Sequence, residues 1–92
     1  IGGLEALGDL IHKNNLYPQV ALEAEISGDV LVRFTVNAQG IPSDFNIVRE
    51  EPQGFDFGQM AQQALQIAKF KPAYAEGHYL EGSMTQLVRF AP

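Results

Sequence analysis

The sequence predicts an α+β fold: a two-layer sandwich with a three-stranded antiparallel sheet and helices packed on one face. Three observations lead there. Gly28 to Val36 alternates, with Val30, Val32, Phe34 and Val36 on one side and Asp29, Leu31, Arg33 and Thr35 on the other. That is the period of a half-buried strand. Asn37-Ala38-Gln39-Gly40 reads as a tight turn into a second strand over 43–49, so the two strands form a hairpin. A helical stretch then separates this hairpin from a third alternating run, which Gly82 opens and which extends from Ser83 to Phe90.

Connectivity follows from handedness. The second strand, the helix and the last strand make a crossover unit, which sets its two strands parallel in the right-handed sense. The hairpin fixes the first strand beside the second. The last strand then takes the free side of the first, giving the order 2-1-3 with antiparallel neighbours.

Ninety-two residues make one domain, long enough to bury about 65% of its extended surface. The chain has no cysteine, which excludes disulfides and thiolate metal sites. Its formal charge is −5, with six basic residues and no basic run. Nucleic acid and anionic membrane surfaces are therefore poor partners. No apolar run approaches the ~20 residues of a membrane span. The chain shows no signal peptide and does not start with Met, so it reads as a processed piece of a longer protein.

Leu4, Leu7, Leu10 and Ile11 recur at helical spacing over residues 3–13, with Asn14 or Asn15 at the end. This places an N-terminal helix in 1–15, ahead of one globular unit over 16–92. Leu16-Tyr17-Pro18 breaks that helix, and Pro18 suits the first position of a short second one. Val20, Ala21, Ala24 and Ile26 give the second helix its apolar side. In the second strand, Phe45 and Ile47 should face inward and Val48 outward. Asp56 with Gln59 has the capping-box pattern, opening a helix that runs to about Lys69. Its buried stripe is Phe57, Met60, Ala61, Ala64 and Ala68, with Leu65 and Ile67 at the flanks. Lys69 and Lys71 suit the negative end of its dipole, and Pro72 stops it. Ala75-Glu76-Gly77-His78 is a turn. Gln86 interrupts the apolar side of the last strand, so it should lie near an exposed end or be hydrogen-bonded.

Catalytic signals are weak. There is no nucleophile elbow, phosphate-binding glycine loop or helical His pair. His12 and His78 are far apart and lack a third plausible ligand, so no metal, cofactor or catalytic residue is expected. His12 reads as a solvated side chain. Glu50 and Glu51 point to opposite sides of a strand, which is wrong for paired acid–base work.

Read together, the pieces carry a resemblance. Tyr17-Pro18, Ala21, Ile26-Ser27-Gly28, the strand Val30 to Val36, Gly40 and Ile47-Val48 come in order. They are followed by Ala61, Ala64, Phe70-Lys71-Pro72-Ala73, Gly77 and Val88-Arg89-Phe90. This set, covering about residues 16–91, resembles the C-terminal domain of the TonB energy-transducer family. Gly2-Gly3 and Asn15-Leu16-Tyr17-Pro18 resemble members with an extra N-terminal helix. The resemblance implies a non-enzymatic periplasmic module of a Gram-negative cell. Its implied partner is the TonB box of an outer-membrane TonB-dependent transporter, added as a strand beside the last strand, with the Tyr-Pro segment also in contact. It further implies a parent anchored in the inner membrane that works with a proton-driven motor complex in transport. Many relatives are basic where this domain is acidic.

The candidate partner-binding residues are Tyr17 and Pro18, then Ser83, Met84, Thr85, Gln86, Leu87, Val88 and Arg89. The second strand's edge is blunted by Pro42 at one end and Arg49-Glu50-Glu51 at the other. The last strand from Ser83 to Val88 has neither proline nor charge, and such an open edge is a template for a partner strand. Tyr17 has two readings: packing on the core, or presenting an amphipathic ring near the peptide while Pro18 stiffens the segment. If the ring is presented, Tyr17→Ala should leave the melting temperature nearly unchanged. On the uncovered face, Leu31, Val48 and Leu87 form a patch for a homodimer or another partner if they are adjacent. A TolA-like adaptor, or another periplasmic interaction module without transducer activity, is the alternative function.

Overall fold

The computed structural model describes residues 4–68 and 70–92. The sheet has the expected order. β1 (Gly28–Val36) lies between β2 (Pro42–Glu51) and the last strand, Gly82–Phe90, antiparallel to both. Val30, Val32, Phe34 and Val36 are buried, so the alternation read from β1 places its apolar side against the core. The turn between β1 and β2 is closed by the Asn37 side chain. Its Oδ1 accepts from the amides of Gln39 and Ile41, each at 2.9 Å, and Gly40 takes a φ of 84°.

α1 (Leu4–Lys13) packs Leu7 and Ile11 into the core. Asn15 is left-handed, with φ 56°. The Leu16 amide donates to the Ile11 carbonyl at 2.9 Å, which closes the helix with a Schellman turn. α2 spans Gln19–Glu23, with Pro18 at the N-cap, one position before its expected place. Of its expected apolar side, Ala21 is buried and Ile26 packs on the core, whereas Val20 and Ala24 face solvent. A second Schellman turn ends α2 before Ala24. Glu25 is left-handed, and the Ile26 amide donates to the Ala21 carbonyl at 2.8 Å, so the helix stops after five residues.

α3 (Phe57–Ile67) crosses the sheet with Phe57, Gly58, Ala61, Ala64 and Leu65 buried. Leu65 belongs to the centre of the stripe and Ile67 faces solvent. The expected capping box is absent. Asp56 is left-handed, at φ 63° and ψ 22°, and its side chain makes no cap hydrogen bond. A capping side chain needs an extended backbone at that position. Ala68 is extended, so Lys71 lies beyond the last turn of the helix, and Lys69 falls outside the described residues.

Between α3 and the last strand the chain forms a small hairpin where the sequence predicts only a turn. β3 (Ala73–Ala75) pairs with β4 (His78–Leu80). Glu76 and Gly77 both have positive φ, 51° and 80°, the signature of a type I′ turn. Every residue of the hairpin is exposed. Glu81 alone separates β4 from β5 (Gly82–Phe90).

Candidate functional site

The two outer strands meet β1 differently. β5 pairs through nine consecutive residues, from Gly28↔Phe90 to Val36↔Gly82, with no shift of register. β2 shifts register twice, around Val48 and around Asp44-Phe45, and Asp44 sits at a positive φ of 55°. Such bulges twist an edge away from a flat template. With β1 on one side, the other side of β5 carries unpaired backbone groups.

Along that edge Ser83, Thr85 and Arg89 are exposed, Met84, Gln86 and Leu87 are half-buried, and Val88 is fully buried. Val88 can therefore offer a partner its backbone but not its side chain. The Gln86 side chain turns onto its own strand, where Nε2 donates to the Leu87 carbonyl at 2.9 Å. This meets the need for a partner that its position on the apolar side created. Arg89 Nε donates to Asp29 Oδ1 at 2.9 Å across the β1–β5 pair. Both groups are well exposed, so the pair contributes little to stability.

Tyr17 does not present its ring. It is 7% exposed and packs edge-on against Phe57 and Phe90, with centroids 5.9 and 5.6 Å away. Its hydroxyl donates to the Ile26 carbonyl at 2.5 Å. Burial raises the pKa of this phenol above its ordinary 10.0. Of the two readings of Tyr17, packing on the core is the one that holds, so Tyr17→Ala should lower the melting temperature. The Schellman turn at Asn15 folds the chain back over the sheet, and Pro18, at φ −57°, leads α2 away while the ring points in. Pro18 itself is half-exposed.

A ring cluster thus fixes the end of β5. Phe57 and Phe90 are 4.9 Å apart, and a methyl group at Gly28 would lie 2.6 Å from the Phe57 ring. Glycine is needed there for close approach. His12 is exposed, as expected, but its Nε2 also donates to the Ala91 carbonyl at 2.9 Å, tying α1 to the end of β5. Among the described residues, no group of three His, Cys, Asp or Glu could hold a metal ion, and no helix is long and apolar enough to cross a membrane.

The model of the Gram-negative bacterial TonB protein C-terminal domain matches residues 13–92. The chain belongs to the TonB C-terminal domain family. Solved structures agree with this. The chain is 26% identical to the Pseudomonas aeruginosa TonB C-terminal domain, with a TM-score of 0.68 over 83% of this chain and 76% of that one. It is 25% identical to the Helicobacter pylori TonB C-terminal domain, with a TM-score of 0.62 over 94% and 77%. It is 29% identical to the TonB2 protein of Vibrio anguillarum, with a TM-score of 0.54 over 83% and 74%. No curated protein sequence matches.

In this TonB C-terminal domain, sequence reasoning missed the β3–β4 hairpin and the two bulges of β2. Ala73-Tyr74-Ala75 and His78-Tyr79-Leu80 around a Gly-containing turn were a signal for the hairpin. The bulges had no signal, since neither contains Gly or Pro.

Proposed function

We propose that this is the periplasmic peptide-binding domain of a TonB-type energy transducer, acting by binding rather than catalysis. It engages the TonB box of outer-membrane TonB-dependent transporters by adding the box as a strand beside β5. Its parent is anchored in the inner membrane and takes proton-motive energy from a motor complex for nutrient uptake. The family membership supports the class. The observation that carries the mechanism is the unbulged edge of β5, uncharged from Ser83 to Val88. An added strand would gain affinity from backbone hydrogen bonds and selection from alternate side chains. Antiparallel ladder bonds run perpendicular to the strands, so a pull along the peptide axis shears them together. That geometry suits a contact that must bear load.

The test titrates ¹⁵N-labelled domain with a TonB-box peptide. Neighbouring prolines probe opposite sides of the strand, because successive amides point opposite ways in an antiparallel ladder. One of Thr85→Pro and Gln86→Pro removes a donor to β1 and destabilises the fold; the other removes an outer donor and keeps it. The folded variant should lose the peptide. A peptide N-methylated at alternate residues makes the same test without touching the domain. Binding that survives both changes rules out strand addition.

A further inference from the structure

The sheet has one face free of helices, and its charge is unlike that of the rest of the chain. All three arginines, Arg33, Arg49 and Arg89, lie on it. The register fixes this. Leu31 is paired with Arg49 on one side and Leu87 on the other, while Arg33 is paired with Asn46 and Thr85. Of the eleven acidic residues, the paired rows of this face hold Asp29 and Glu51 alone. Asp29 is taken by Arg89 at 2.9 Å. Arg33 and Arg49 are exposed and make no ion pair among the described residues. By strand geometry their Cα atoms are about 8 Å apart. Beside them the half-buried Leu31 and Leu87 form a direct cross-strand pair. Val48, expected to complete an apolar trio, is the bulge residue. Arg49 takes the place next to Leu31.

A centre of two leucines beside two unpaired arginines is complementary to carboxylates and alkyl groups together. We propose that this open face is a second docking surface, and that its occupant is an acidic amphipathic helix of another protein. Leucine-type side chains of that helix rest on Leu31 and Leu87, and its carboxylates meet Arg33 and Arg49. An amphipathic helix offers the apolar stripe and flanking charges that match this arrangement. A second copy of this chain fits less well. A two-fold contact centred on Leu31 and Leu87 sets the same patch against itself, and so brings the arginines of one copy toward those of the other. The surface is separate from the proposed edge site, because it uses side chains of the face and not the outer backbone of β5.

The probe is a synthetic amphipathic helix with Leu on one face and Glu on the flanks, compared with a counterpart in which Lys replaces Glu. On titration into ¹⁵N-labelled domain, the Glu peptide should shift the amides of Leu31, Arg33, Arg49 and Leu87, and its affinity should fall with added salt. The variant Arg33→Glu/Arg49→Glu should bind about tenfold more weakly or less. Arg33→Gln/Arg49→Gln should fall between that and the parent. These side chains are exposed, and an unchanged melting temperature confirms that the variants are folded. Equal binding of the Lys peptide, unchanged binding by both variants, or shifts confined to α3 would overturn the proposal. So would self-association through these residues in sedimentation, which makes the occupant a second copy. Retention on phosphatidylglycerol vesicles without binding of the Glu peptide would overturn it in favour of a lipid surface.

Discussion

The two edges of the sheet flank the same central strand and are built in opposite ways. β2 meets β1 through two bulges, a left-handed Asp44, a proline at its start and Arg49-Glu50-Glu51 at its end. β5 meets β1 through nine unshifted pairs and holds its one charge, Arg89, against Asp29. Proteins blunt edges because a regular open one invites pairing. This domain blunts one edge and leaves the other regular. The contrast lies in regularity and not in anchoring, since rings hold both edges to the core. β5 is tied at its end to Tyr17, Phe57 and the His12–Ala91 bond, while β2 is tied at its second bulge by Phe45, stacked 5.5 Å from Phe34, which in turn meets Phe70 at 5.1 Å.

The strongest way to test the contrast is to remove the anchor of β5. Phe90 is fully buried between Tyr17 and Phe57. Phe90→Ala should cost about 3–5 kcal/mol in urea unfolding. Amide exchange should rise along β5 more than along β2. Equal loosening of both edges would mean that the ring cluster holds the whole sheet and not β5 in particular.

A smaller effect is expected from Gly28→Ala. The new methyl would strike the fully buried Phe57 ring, at a cost of about 1–3 kcal/mol. Thermal unfolding of the variant measures it. If Phe57→Leu in the same background restores stability, the collision is the cause.

Tyr17→Phe keeps the ring and loses the bond to the Ile26 carbonyl, for about 1 kcal/mol. It also has a pH signature. Burial raises the phenol pKa in the folded state, so the folded protein keeps a proton that the unfolded chain releases. The contribution is complete below the ordinary value of 10.0 and is lost as pH rises through the folded value. Denaturant midpoints of the parent should therefore fall on the alkaline side more steeply than those of Tyr17→Phe. Parallel profiles would contradict this placement of the hydroxyl.

Deleting Val48 should change stability least, by a few tenths of a kcal/mol, since its side chain is half exposed and outside the paired register. It sharpens the contrast most. Without Val48, Ile47 and Arg49 become neighbours in strict alternation, and part of β2 becomes regular. Sedimentation should show weak self-association that the parent lacks. A variant as monodisperse as the parent would show that the charges of β2, and not its bulge, protect that edge.

The strand order, the hairpin from β1 to β2, the buried side of β1 and the stripe of α3 were legible in the sequence. Each rests on a local period, two for Val30-Val32-Phe34-Val36 and near four for Phe57-Ala61-Ala64. The uncharged run of β5 was legible as well, since charge is a property of the residues themselves. Tertiary packing decided the rest. Tyr17 turns inward because α1, β5 and α3 together offer it a slot between Phe57 and Phe90, which no local pattern describes. Glu25, Asp44 and Asp56 take left-handed conformations that their residue types do not demand. The contacts of helix ends and strands over-determine them. The bulge at Val48 is the plainest case. It moved Arg49 beside Leu31, where it joins Arg33 and Arg89, which alternation alone places on the open face, and this is visible once β2 is laid against β1.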